Sequence, residues 1–132
     1  MRRETLLFAN DQFYLAFNNS DYELMDALWA RRSPVICIHP GWPALTDLES
    51  ILESWERILA GPQSPDISHD NVQVFDYGKY ACVVCYESVG DNRLVATNAF
   101  VEEDGEIRMV LHQAGGCTDA PPPEPHIEPY MQ

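Results

Sequence analysis

The chain has 132 residues, enough for one domain with a substantial core. A hydrophobic share of 45% beside 22% charged residues excludes global disorder, and no apolar run is long enough to span a bilayer. The formal net charge of −13, with no basic cluster beyond Arg2-Arg3 and Arg31-Arg32, argues against nucleic acid or an anionic membrane as a partner, because Lys and Arg carry that binding.

Met1-Arg2-Arg3-Glu4 precedes the apolar run Leu6-Leu7-Phe8-Ala9, which Asn10-Asp11 interrupts before it could form a signal-peptide core. A cytoplasmic protein is expected. Helical spacing predicts a first helix from Thr5 to about Asn18, with Leu6, Ala9, Phe13 and Phe17 on one stripe. Ser20-Asp21-Tyr22-Glu23 has the form of a capping box and opens a short second helix with Leu24, Leu28 and Trp29 inward. Arg31-Arg32-Ser33-Pro34 ends it and leads into a strand, Val35 to His39. Thr46-Asp47-Leu48-Glu49 reads as another capping box. It starts a third helix whose Leu48, Ile51, Leu52, Trp55, Ile58 and Leu59 keep helical spacing, and Gly61-Pro62 stops it.

The period then changes to alternation. Ile67 to Phe75, Tyr80 to Val89, Arg93 to Glu102 and Glu106 to Ala114 are predicted strands. Asp76-Tyr77-Gly78, Gly90-Asp91-Asn92 and Asp104-Gly105 supply the turns, the last two as antiparallel hairpins. Helices first and a meander afterwards predict an α+β domain with helices on one face of the sheet. The domain is expected over residues 1–118. The remainder, 119–132, contains Pro121-Pro122-Pro123-Glu124-Pro125 and reads as a semi-rigid extended tail.

Cys82-Val83-Val84-Cys85 resembles a redox pair but lies inside a strand pattern. Three strand steps separate the Cα atoms by about 10 Å and send the thiols to opposite faces, whereas a disulfide needs less than about 7 Å. Free core thiols are expected. No His or Cys pair has the local spacing of a zinc motif, so neither a metal nor another cofactor is expected.

The segment from Val35 to Trp55 concentrates the chemistry. A strand, Val35-Ile36-Cys37-Ile38-His39, delivers a histidine to a Pro40-Gly41 corner; Trp42 follows, and Trp55 waits on the third helix. Such an arrangement builds an apolar wall with one ionisable group, as small-molecule pockets need. His39 is a general base or ligand donor in one reading and a corner brace bonded to a backbone carbonyl in the other. Cys37 shares its face. Trp42 and Trp55 form an aromatic wall or fill the core. Asn98 lies on a strand face with Leu94, Ala96 and Phe100, where a buried amide must orient a ligand or tie down a strand. His112, grouped with Arg108 and Val110 and opposite Met109, Leu111 and Gln113, is a second acid or base. Tyr14 could bring its hydroxyl to the pocket mouth. If His39 serves a ligand, His39→Ala lowers binding or turnover with little change in melting temperature.

Two segments in order, Cys37-Ile38-His39-Pro40-Gly41-Trp42 ahead of Ser54-Trp55, then Ala96-Thr97-Asn98-Ala99-Phe100 with Asp104-Gly105 and Arg108-Met109-Val110-Leu111-His112, carry a family resemblance. From about Phe8 to Gly115 the chain resembles the SnoaL-like, His-Pro-Gly-Trp-containing group of the nuclear-transport-factor-like (cystatin-like, cone-shaped) superfamily. That resemblance implies a curved antiparallel sheet wrapped around a long helix, an apolar pocket between them, and a homodimer. Relatives include polyketide cyclases, ketosteroid isomerases, dehydratases and non-catalytic association modules, so the fold leaves function open. This chain has Ile107, His112-Gln113 and Gly115-Gly116 where relatives often carry Trp, a His doublet and Ser-Pro. Isomerase chemistry wants a buried carboxylate base. Glu87 is the nearest candidate but stands near its strand end, and the pattern offers no carboxylate on a clearly buried face. Proton transfer by His39 and His112 on a small apolar ligand is the expectation, with a non-catalytic homodimeric module as the alternative.

Overall fold

Apolar residues three and four apart make the first helix, α1 (Arg3–Asn18), which buries Leu6, Ala9 and Phe13 together with two polar residues, Asn10 and Tyr14. Phe17 is only partly buried against the same core. Both predicted capping boxes are displaced by one residue. Ser20 sits at φ 53, and Asp21 caps α2 (Tyr22–Leu28) by accepting from the Leu24 N–H at 3.1 Å. Asp47, not Thr46, caps α3 (Leu48–Leu59) by accepting from the Ser50 N–H at 2.9 Å. A carboxylate satisfies the orphan amide and also suits the positive end of the helix dipole, where a hydroxyl does only the first. In α2 the fully buried side chain is Met25; Leu24 and Leu28 lie at the core's edge, and Trp29 is buried just past the helix. This computed structural model describes residues 1–61 and 66–119, so residues 120–132 of the expected proline-rich tail and Pro62 of the expected helix stop lie outside the described residues.

Among the described residues five strands form one curved mixed sheet in the order β1-β5-β4-β3-β2. β2 (Ile67–Asp76), β3 (Tyr80–Val89), β4 (Asn92–Glu103) and β5 (Glu106–Gly116) are the predicted antiparallel meander. The Asp104-Gly105 turn has φ 52 and 79 at its two residues, the left-handed pair that a tight two-residue hairpin requires. β1 (Ile36–Ile38) is shorter than the predicted Val35–His39 and joins the edge of β5 in parallel, so the sheet is not wholly antiparallel. Its approach is fixed by Glu103, whose carboxylate accepts from the Arg31 and Arg32 amides and from the Ser33 hydroxyl, at 2.9, 3.0 and 2.8 Å.

Strand register divides the sheet cleanly. Ala81, Val83, Cys85 and Glu87 of β3 pair with Phe100, Asn98, Ala96 and Leu94 of β4 on the inner face. Asn98 then pairs with His112 of β5, and His112 with Cys37 of β1. The β4–β5 register shifts between Ala99 and Phe100, so Phe100 pairs with Met109 and both are buried. The sequence alternation had placed Met109 opposite His112. The extra residue at this bulge brings it to the inner side instead. Of the two thiols separated by Val83-Val84, Cys85 is inside and Cys82 lies half-exposed on the outer face, where it donates to the Tyr80 hydroxyl. Cys82 is therefore free but is not a core thiol. Among the described residues no helix is long and apolar enough to cross a membrane.

Candidate functional site

Pro40 and Gly41 make the corner after β1. The Trp42 N–H donates to the His39 carbonyl at 2.9 Å, and Gly41 has φ 81, the left-handed third position of a type II turn that a side chain would strain. The loop is tied back by paired Cys37–Leu45 backbone bonds of 2.9 Å each. Strand parity then sends Cys37 and His39 inward. His39 is 4% exposed and meets the edges of two indoles, Trp42 and Trp55, each 4.8 Å away between ring centroids.

Among the described residues no backbone carbonyl bonds the His39 ring directly. Its Nε2 lies 2.9 Å from the Ser54 hydroxyl on α3, and that hydroxyl donates to the Ile51 carbonyl at 2.7 Å. The Cys37 thiol is 3.6 Å from the same nitrogen. Burial pulls the His39 pKa down to about 4, so the ring is neutral near pH 7. Burial also pushes the Cys37 thiol up to about 12, partly offset by the Trp55 indole, which excludes a thiolate. Trp42, at 39% exposure, covers the outer side of His39, whereas Trp55 is fully buried. A hollow of about 170 Å³ lined by Trp42, Leu45, Ser50, Glu53, Ser54 and Arg57 opens beside this corner.

Deeper in the cone, polar side chains form one connected chain. The His112 Nδ1 lies 2.7 Å from the Asn98 Oδ1. The Asn98 amide donates to the Asn10 Oδ1 at 2.8 Å and to the Tyr14 hydroxyl at 3.2 Å. Tyr14 in turn donates to the Glu87 Oε2 at 2.6 Å and lies 3.3 Å from the Cys85 sulfur. Its ring stacks on His69, 4.2 Å away, and His69 reaches Asp11 at the surface. All of these except His69 and Asp11 are buried. Burial, reinforced by the His39 ring, pulls the His112 pKa down to about 3. Glu87 is raised by burial against the lowering effect of the Tyr14 bond, and Tyr14 is raised well above its ordinary value by burial, Cys85 and Glu87.

The two halves meet at an aromatic contact. The rings of His39 and His112 are 6.3 Å apart, with Trp55 near both and Phe13 against His112 at 4.7 Å. The buried Trp55 Nε1 has no full hydrogen-bond partner. Thus His39, Cys37, Trp42 and Trp55 gather at the corner after β1, and His112, Asn98 and Tyr14 gather deeper in the core. Among the described residues no three or more His, Cys, Asp or Glu side chains are grouped to hold a metal ion.

Asn10 and Ser54 were missed in the sequence, and Glu87, the nearest carboxylate candidate there, was not placed on a buried face. Glu87 is 2% exposed and faces inward, so a buried carboxylate does exist on the sheet interior. Alternation from Ala81 through Val83 and Cys85 would have found it. Asn10 falls at helical spacing between Leu6 and Phe13, and Ser54 between Ile51 and Ile58. A polar residue within an apolar stripe was the available signal.

The SnoaL-like domain family matches residues 7–115, and the chain belongs to that family. No functionally curated protein matches it. Among solved structures, it is similar to a candidate dehydratase of the NTF2-like family from Streptomyces avermitilis, at 28% identity over 88% of this chain and 96% of that one, with a TM-score of 0.80. It is also similar to a candidate calcium/calmodulin-dependent protein kinase type II association domain from Thiobacillus denitrificans, at 27% identity over 86% and 96%, TM-score 0.74. A ketosteroid isomerase-like protein from Erwinia carotovora atroseptica shares the fold at 13% identity, over 90% of this chain and 100% of that one, TM-score 0.72.

Proposed function

We propose that the chain binds a small, largely apolar cyclic molecule carrying a hydroxyl or carbonyl group, and that neutral His39 moves a proton on it, in chemistry of the isomerase, dehydratase or cyclase type. His112, held by Asn98, orients the ligand; Trp42 covers it; Tyr14 and Glu87 complete the polar interior. In this reading the chain falls in the His-Pro-Gly-Trp-containing SnoaL-like group and uses no metal or cofactor. The observation that carries the proposal is the connected run His112–Asn98–Tyr14–Glu87 inside the core. Apolar side chains of similar volume would stabilise the fold at least as well as a buried ionisable chain, so such a chain points to chemistry. The likeness to a candidate dehydratase supports the same direction.

Cyclic hydroxyketones incubated with the protein in D2O test this by proton NMR. The reading expects α-proton exchange that is faster with the wild type than with His39→Gln. Equal rates for both proteins across a panel of ketones would remove His39 as a base.

A second reading, a non-catalytic homodimeric module, is favoured by an apolar stripe on the outer sheet face. Register places Phe75, Cys82, Ala99, Leu111 and Ile36 side by side across all five strands, with Phe75 and Ile36 exposed. Pairing of two such faces gives the homodimer, which light scattering would report as twice the 15.0 kDa chain mass. The dimer is compatible with both readings; failure of the exchange experiment with a dimer present leaves the second.

A further inference from the structure

We infer that Ser54 and Asn98 are positioning residues that hold His39 and His112 in opposite neutral tautomers, so that each ring keeps one lone pair and neither has a free N–H. The number of protons available to each bond fixes the tautomers. The Ser54 hydroxyl owns one proton and lies 2.7 Å from the Ile51 carbonyl, which can only accept. Without a proton between them, two oxygens at that distance repel. Ser54 therefore gives its proton to Ile51 and faces the His39 Nε2, 2.9 Å away, with a lone pair. His39 must supply the proton at Nε2. Nδ1 is then the unprotonated nitrogen. The Cys37 sulfur, 3.6 Å from Nε2, fits as a second, weaker acceptor of the same proton.

On His112 the assignment runs the other way. The Tyr14 proton goes to the Glu87 carboxylate at 2.6 Å, so its oxygen receives the Asn98 amide at 3.2 Å. The Asn10 Oδ1 accepts from that same amide nitrogen at 2.8 Å. Two acceptors on one side fix the Asn98 side chain with its NH2 toward α1 and its carbonyl toward His112. His112 must donate from Nδ1 across 2.7 Å, which leaves Nε2 with the lone pair. Both ring N–H groups are thereby occupied by protein acceptors.

The consequence is a specificity, and it deepens the functional reading above, on which its ligand half rests. A molecule reaching either imidazole meets an acceptor. It is held through an O–H or N–H donor, and a carbonyl or ether oxygen finds no imidazole proton to accept. Hydroxylated rings are selected, and the proton leaves from their hydroxyl-bearing side to a histidine lone pair.

The test uses full-length protein with 15N-labelled histidine. Long-range 1H–15N correlation distinguishes protonated from lone-pair ring nitrogens, which resonate in separate regions. At pH 7 and without ligand, His39 is expected with Nε2 protonated and His112 with Nδ1 protonated. Ser54→Ala is expected to move His39 toward a mixture of tautomers while His112 stays unchanged. Two rings in the same tautomer, or an unchanged His39 in Ser54→Ala, would overturn the assignment whether or not the protein is an enzyme. Should Ser54→Ala fail to fold, the wild-type spectrum alone decides. For the ligand half, phenol is expected to shift the lone-pair resonance of His39 or His112, and anisole, its methyl ether, is not. Equal response to both, or none to phenol, overturns the donor specificity and leaves the tautomers standing.

Discussion

The Tyr14 hydroxyl of α1 donates to the Glu87 carboxylate of β3 across 2.6 Å, wholly inside the cone. This bond couples the first helix to the centre of the sheet and sets the direction of every hydrogen bond that follows it to His112. Removing the donor strands the carboxylate, and removing the charge relieves it.

Tyr14→Phe should therefore cost about 1.5–3 kcal/mol, the range for a lost bond to a charged partner. Glu87→Gln should be nearly neutral or stabilising at pH 7, since an amide can still accept from Tyr14 without burying a charge. Urea unfolding of the two variants beside the wild type measures both. A larger loss for Glu87→Gln than for Tyr14→Phe would contradict the assigned direction of the bond.

The pH dependence follows from three buried groups. His39 and His112 have folded-state pKa values of about 4 and about 3, below the ordinary histidine value near 6.5. The unfolded chain takes up these protons first, so stability is full above about pH 6.5 and falls as the pH drops toward 4. Each ring contributes a slope of up to about 1.4 kcal/mol per pH unit. Glu87 has a raised pKa and acts in the opposite sense: its protonated form is favoured in the fold, so stability falls as pH rises from the ordinary carboxylate value through the folded one. Denaturant midpoints between pH 4 and 7 are expected to rise with pH, less steeply in His39→Gln.

The two tryptophans should separate sharply. Trp55 is fully buried among Phe13, Phe17 and both histidines, and Trp55→Ala should cost about 3–5 kcal/mol. Trp42 is half-exposed over His39, and Trp42→Ala should cost about 1 kcal/mol or less. His39→Ala, which the sequence alone makes neutral for stability, should instead cost about 1–3 kcal/mol, because it strands a buried cluster contact and leaves a void. Calorimetric melting of the three variants orders them.

Helix capping offers a check outside the site. Asp47→Ala should lower stability by about 1 kcal/mol, and Thr46→Ala should leave it within a few tenths. Equal effects would restore Thr46 as the cap.

Periodicity made the fold legible. The stripe from Leu48 to Leu59 and the alternation from Tyr80 to Glu103 each bury one face, and that pattern is written directly in residue order. What was lost depended on single-residue shifts. The caps moved from Ser20 and Thr46 to the neighbouring aspartates because charge adds to hydrogen bonding there. Met109 changed face because a bulge beside Ala99 cannot be seen in the spacing of β5 alone. Val35-to-His39 shortened because the edge pairing of β1 with β5 is set by distant partners, Glu103 among them. The site was half legible. His39, Asn98 and His112 stood out as polar residues on apolar faces. Asn10, Ser54 and Glu87 obey the same rule, but each looked tolerable until its partner, brought from another element, was in place.

The most direct measurement is a crystal structure of the protein soaked with phenol. Density for the ring against His39 or His112, with its oxygen in hydrogen-bond range of a lone-pair nitrogen and Trp42 beside it, is the expected result. Phenol bound only on the outer sheet face, with the space between the two imidazoles still closed by Trp55 and Phe13, would contradict a ligand site in the cone.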